Sequence, residues 1–222
     1  LSITGFQILL AGGGGGLGAA TADLLRSEGA EVFIASRSHG VTGDITKAAD
    51  RARMLDAVPK LYGLAVFTGT PARGPIEETM RLSLEVNYEG PILLAREAAD
   101  RMRAQGTPGS IVLLSTMQAV ALFPGSTVYG GAKAALQHAA LILAKECRGA
   151  SGIRVNVIAP GVMAAGMAEA SIASGKYDRY VREGIVPRFG RALDVARAVR
   201  FFLEPDNYVT GQVLSVDGGI TL

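Results

Sequence analysis

Short apolar runs alternate with longer stretches of helical spacing along nearly the whole chain. Runs at 6–11, 31–36, 62–67, 110–115, 153–158 and 212–216 have the unbroken apolar character of strands buried on both faces. Between them, 17–28, about 46–58, 77–104, 127–149 and 192–203 repeat apolar residues every three or four positions and predict helices. This rhythm predicts an α/β fold, with a parallel sheet covered by helices on both faces. Right-handed crossovers then give a doubly wound, Rossmann-like sheet whose ligands sit beyond the carboxyl ends of the strands. The stretch 162–190 departs from the rhythm; rich in Ala, Gly, Ser and Met, it reads as a cover over the site. No repeat or linker divides the 222 residues, so a single domain is expected.

Composition narrows the partners. A net charge of +2 with no dense Lys/Arg stripe gives no reason to expect nucleic acid. The arginine clusters at 51–53 and 96–103 alternate with acids and read as solvated helix faces. No apolar run reaches the length of a membrane span, and the first strand pattern begins by residue 6, leaving no room for a leader in the chain as given. The single cysteine, Cys147, reads as a packed thiol, and sparse cysteine suits a reducing cytoplasm. No His/Cys or carboxylate set has metal-ligand spacing, so no metal is expected.

The first chemical signal is the run Ala11 to Gly18, containing Gly12, Gly14, Gly16, Leu17 and Gly18. It lies between an apolar strand and a helical pattern that stops at Gly29. Strand, glycine turn and helix together place backbone N–H groups and a positive helix end against a pyrophosphate. A flexible linker would not be flanked in this way.

The second signal is Tyr129-Gly130-Gly131-Ala132-Lys133. On a helix, residues four apart share a face, so the phenol and the ammonium enter one space. A nearby positive charge is expected to lower the tyrosine pKa and suit it to exchange a proton with a carbonyl or alcohol oxygen. Ser115 and Thr116 end the preceding apolar strand and bring a hydroxyl to the same crevice.

Taken in order, the glycine turn, the strand-end hydroxyl, Tyr-x-x-x-Lys and Pro160-Gly161 resemble the short-chain dehydrogenase/reductase family. Asn87 in Leu84–Gly90, Arg154-Val155-Asn156, Val209–Gln212 and Val216–Gly219 extend the resemblance to the C-terminus. It implies a reaction in which hydride passes between a nicotinamide and a carbonyl carbon. Tyr129 would act as acid/base, and Lys133 would lower its pKa and hold the nicotinamide ribose. Asn87 would organise a water path to Lys133. Thr116, thirteen residues before Tyr129, would orient the substrate, with Ser115 as the alternative. Gly12, Gly16 and Gly18 resemble the cofactor glycines, Gly14 and Leu17 belong to the same turn, Gly69 would let the backbone pass the cofactor, and Pro160-Gly161, also expected at the cofactor, would re-aim the chain over the same edge. Asp44 resembles the aspartate that contacts the adenine. Small carbonyl or alcohol substrates, and a homodimer or homotetramer built on 77–104 and 127–149, are further implications.

At the end of the second strand, Ser36-Arg37 stands where an acidic residue would hold an NAD ribose. Arg37 can grip a 2′-phosphate, helped by Ser36, so NADP(H) is expected over NAD(H). The chain departs from the family in four places. Ala11 replaces a threonine, Val66-Phe67-Thr68-Gly69 replaces Asn-Asn-Ala-Gly, and Ala165 replaces a threonine. Only six residues separate Arg37 from Asp44, too few for the usual helix, so a barer sheet edge is expected. Leu122, Phe123, Met163 and Met167 suggest an apolar substrate pocket. A dinucleotide-binding sensor without turnover, and an epimerase or dehydratase on the same fold, are the rival readings.

Overall fold

Alternate residues of each central strand enter opposite cores, which is how one sheet comes to be covered twice. In β5 (Gly109–Leu114), Ile111 and Leu113 join one cluster and Val112 and Leu114 the other. The computed structural model describes residues 2–222. Its sheet runs β3 (Val41–Thr42), β2 (Glu31–Ser36), β1 (Gln7–Ala11), β4 (Leu61–Val66), β5, β6 (Ile153–Pro160) and β7 (Val213–Val216), all parallel. Strand order reverses between β1 and β4, which opens a crevice beyond their carboxyl ends. The doubly wound Rossmann-like fold expected from the hydrophobic pattern is the observed one.

α1 (Gly16–Ser27) and α8 (Ala192–Leu203) cover one face; α2 (Ala48–Asp56), α4 (Gly90–Ala104) and α5 (Thr127–Glu146) cover the other. The last carbonyls of α8 would be orphaned in the interior. They are met from the sheet instead: Ser110 Oγ and Arg154 donate to the Phe202 carbonyl at 2.7 and 2.8 Å, and the Tyr62 hydroxyl donates to that of Leu203 at 3.0 Å.

Three local features differ from expectation. The helix predicted over 77–104 is α3 (Ile76–Leu84) and α4 joined by a π turn at Glu85–Glu89. Pro91 has no N–H for the carbonyl of Asn87 four residues earlier, so the ordinary ladder gives way there. The segment after Arg37 does lack a helix, yet it returns to the sheet as β3, with Gly40 in the left-handed region (φ 67°) under the Ile34 carbonyl. Arg51 is not on a solvated face: only 5% exposed, it forks onto Glu97 at 2.9–3.1 Å and ties α2 to α4.

Residues 162–190 carry two short helices, α6 (Glu169–Ala173) and α7 (Asp178–Arg182). The two ends of this stretch are pinned together, since the Gly190 N–H donates to the Val162 carbonyl at 2.9 Å and the Ala164 N–H to that of Gly190 at 2.7 Å. Cys147 is the packed thiol expected; burial pushes its pKa up, and Sγ accepts an Arg103 N–H at 3.2 Å. No helix among the described residues is long and apolar enough to cross a membrane.

Phe202 is the largest fully buried side chain, and its carbonyl anchors two strands. Phe202→Ala is expected to cost about 3–5 kcal/mol of stability in urea unfolding, with no change of fold by circular dichroism.

Candidate active site

The glycine turn owes its shape to contacts that any side chain would block. A Cβ on Gly12 would lie 2.9 Å from the Thr68 nitrogen, and one on Gly18 would lie 2.6 Å from the Gly13 Cα. Gly12 and Gly16 also have φ of 81° and 51°. β1 therefore passes directly into α1, whose first turn carries no acidic residue and no side-chain cap. The N–H groups of Gly16 and Leu17 at the helix start have no backbone partner among the described residues, as an anion site requires.

Opposite the turn stands α5. A Cβ on Gly130 would meet the Gln118 carbonyl at 2.7 Å, so this glycine lets the turn at Met117–Ala119 rest against the helix beside Tyr129. Lys133, 2% exposed, donates from Nζ to the carbonyl of Leu114 at 2.8 Å and to that of Thr68 at 3.3 Å, which leaves its third N–H available. The ends of β4 and β5 are thus gathered around one buried ammonium.

One cavity of about 500 Å³ is lined by Gly12, Gly16, Leu17 and Gly18, and also by Gly69, Ser115, Thr116, Tyr129, Lys133, Pro160 and Gly161. The two hydroxyls differ in their freedom. Ser115 Oγ donates to the Lys133 carbonyl at 3.2 Å and accepts from Gln137 at 2.9 Å. Thr116 Oγ1 only accepts, from the Gln118 N–H at 3.3 Å, so its hydrogen is unspent.

Asn87 lies behind this wall, fully buried on the π turn. Its Oδ1 accepts the Thr70 N–H at 2.9 Å, and its Nδ2 donates to the Thr70 carbonyl at 3.0 Å and to Ser83 Oγ at 2.9 Å. A Cβ on Gly69 would come within 3.1 Å of Oδ1, so Gly69 is where that backbone passes Asn87.

Ser36, Arg37, Asp44 and Gly14 lie outside the cavity lining. Ser36 Oγ accepts from the N–H groups of Ser38 and His39 and donates to the His39 carbonyl, so its hydrogen is spent within its own loop. Arg37 is exposed, with no ion-pair or hydrogen-bond partner for its guanidinium among the described residues. Asp44 Oδ1 accepts from the backbone and hydroxyl of Thr46, both at 2.9 Å. The His39 ring stands over Gly14, where a Cβ would come within 2.9 Å of Nδ1.

Two expectations are corrected here. Tyr129 is not lowered by Lys133: burial pushes the phenol up to about 12, and burial pushes Lys133 down to about 7. Desolvation is the leading cause for both groups, and a lysine part-neutral near pH 7 offers only part of its field. Leu122 and Phe123 do not line the cavity, and Leu122 is fully exposed; Met163 and Met167 do line it. Sequence reasoning missed Arg73, Gln118, Ser171, Lys176 and Tyr177, which loops distant along the chain bring to the same walls. No local pattern marks them.

The residues present fit a dinucleotide on structural grounds. A Cβ on Gly12, Gly13 or Gly18 would close the turn, no Asp or Glu lines the cavity, and the buried Thr68 Oγ1 has no partner among the described residues.

Known proteins agree with this geometry. Residues 45–221 match a family profile described as enoyl-(acyl carrier protein) reductase. Carbonyl reductase family member 4 of Danio rerio is 30% identical, over 95% of this chain and 96% of its own. A short-chain type dehydrogenase/reductase from Mycobacterium ulcerans superposes with a TM-score of 0.91 at 31% identity, covering 100% of this chain and 91% of that one. ElxO, solved with NADP bound, superposes at 0.86 with 25% identity, covering 98% of this chain and 99% of its own. Fold, ordered motifs and relatives converge, and the chain belongs to the short-chain dehydrogenase/reductase family of oxidoreductases.

Proposed function

We propose that the protein is an NADP(H)-dependent oxidoreductase that interconverts a ketone or 3-oxo group and a secondary alcohol. The observation that carries this reading is the convergence of Tyr129, Lys133 and the unspent Thr116 hydroxyl on one cavity with the glycine turn. When bound, the nicotinamide supplies or accepts hydride. The N–H groups of Gly16 and Leu17 would hold the pyrophosphate, the third Lys133 N–H the ribose, and Thr68 Oγ1 a neighbouring polar group. Thr116 donates its hydrogen to the substrate oxygen and aims it at Tyr129. Tyr129 gives its phenolic proton to that oxygen in reduction and takes it back in oxidation. Where Lys133 holds its proton, below about 7, its charge favours the phenolate left behind. Asn87 acts at one remove: by clamping Thr70, it holds the Thr68–Gly69 backbone that receives Lys133.

Support for NADP over NAD is the unpartnered Arg37 at the carboxyl end of β2, with no carboxylate beside it at the strand end. ElxO, an NADP-bound structural neighbour, points the same way. Exposed Leu84, Leu93, Leu141 and Ile142 on α3, α4 and α5 favour a homo-oligomer joined through those helices. Residues 162–190 would cover the substrate, since Val162, Met163, Met167 and Tyr177 line the cavity from above the sheet end.

A panel of ketones and 3-oxo thioesters, followed by NADPH absorbance, tests this reading. Turnover is expected, with Tyr129→Phe lowering kcat by about 10²–10⁴-fold while NADPH still binds. Tight NADPH binding with no turnover on the whole panel would instead indicate a sensor. Arg37→Ala is expected to cut the NADPH-over-NADH preference in kcat/KM by about tenfold or more.

The pH dependence follows from the two shifted groups. A phenol near 12 stays protonated at ordinary pH and is ready to donate, whereas oxidation needs the scarce phenolate. Alcohol oxidation should therefore climb with pH from 7 upward. Carbonyl reduction should fall as Lys133 loses its proton above about 7. Initial rates measured in both directions across that range check the sign.

A further inference from the structure

The cavity's charge is one-sided. Among its lining residues are three cations, Arg73, Lys133 and Lys176, and no Asp or Glu. Lys133 belongs to the proton chemistry, whereas the other two are not used by the reading above. Arg73 comes from the loop between β4 and α3, and Lys176 from the loop between α6 and α7. Both are exposed, so they stand where the cavity opens to water. Neither has an ion-pair partner among the described residues, although Arg51, Arg53, Arg96, Arg101, Arg103, Arg182 and Arg188 are each paired with an acid. Lys176 Nζ lies 5.4 Å from the ring centre of Tyr177, which itself lines the cavity, so the charge is held against that wall. The same walls carry apolar surface, from buried Val162 and Met163 and from exposed Met167. A cleft with one sign of charge and apolar walls focuses its field on an entering ligand of the opposite sign.

We propose that Arg73 and Lys176 form an anion-binding subsite at the mouth of the cavity, so that the preferred substrate is a carbonyl compound bearing a carboxylate or phosphate. This rests on the oxidoreductase reading and names the substrate class for the same site. The guanidinium would take an oxyanion by paired, charge-assisted hydrogen bonds, and the ammonium on the second loop would add its charge. The apolar stretch between would take the short carbon chain that leads to the carbonyl at Tyr129. A neutral ketone would enter without that anchor.

The test compares a β-keto acid, its methyl ester and a phosphorylated hydroxyketone on the wild type, on Arg73→Ala/Lys176→Ala, and on Lys60→Ala. Lys60 is an exposed lysine just before the amino end of β4, away from the cavity. In the double variant the ratio of charged to neutral kcat/KM should fall by about tenfold or more, mainly through KM. Added KCl should shrink the wild-type ratio, and Lys60→Ala should keep it. Whichever anion shows the larger ratio identifies the group. Calorimetry with glutarate and with inorganic phosphate reads the subsite without turnover: the wild type should bind one of them and the double variant should lose it. That arm stands even if no carbonyl on the panel is reduced, which would count against the oxidoreductase reading alone. An unchanged ratio, failure of the wild type to bind either anion, or weakened NADPH binding with the ratio intact would overturn the proposal. The last result would assign the two cations to the cofactor's phosphates.

Discussion

The Lys133 ammonium, pulled onto the carbonyls of Leu114 and Thr68, is the contact on which the site's geometry rests. It joins α5 to the carboxyl ends of β5 and β4, on either side of the cavity floor. Burial taxes this charge heavily, to the point of pushing its pKa down to about 7. An apolar side chain of similar length would fill the space without that cost. The same arrangement sets Tyr129 one turn away on the helix and raises it toward its protonated form. Phenol and ammonium are therefore shifted by a common exclusion of water, rather than chiefly by each other.

Around that contact, the departures from the family pattern are absorbed locally. Where the resemblance implies two asparagines, Val66 enters one core and Phe67 packs against the opposite cluster. The polar duties fall on what remains. Asn87 pairs with both backbone groups of Thr70, like a neighbouring strand, and Thr68 offers its carbonyl to Lys133 and a buried hydroxyl to the groove. The π turn matters because Asn87 sits on it, one turn before the proline that interrupts the ladder.

The adenine end is rebuilt more drastically. With no helix after β2, Ser36 braces a four-residue loop and the chain rejoins the sheet as β3. This brings the His39 ring over Gly14 and leaves Arg37 bare at the strand end. Arg51 and Glu97 take up the load beneath, locking α2 onto α4 and receiving the Ile45 carbonyl. The edge is thin but tied down.

Much of this was legible from residue order because the signals are local. Apolar runs of strand length, spaced glycines between a strand and a helix, and a tyrosine four residues before a lysine each declare their geometry over a few positions. The π turn escapes the reading of 77–104 as one helix, because Pro91 breaks the ladder without breaking the apolar spacing. Other features depend on which distant segments the sheet brings together. The spending of the Ser115 hydroxyl on α5 is decided by packing between helix and strand end, and so is the freedom of Thr116. So is the direction of the Tyr129 shift, because spacing shows that a charge is near but not how much water both groups have lost. The meeting of Arg73 and Lys176 on one cavity is tertiary in the same sense. Residue order determines local geometry through short-range sterics and periodicity. Burial and charge balance at the site are sums over the folded surroundings, and only the closed structure supplies them.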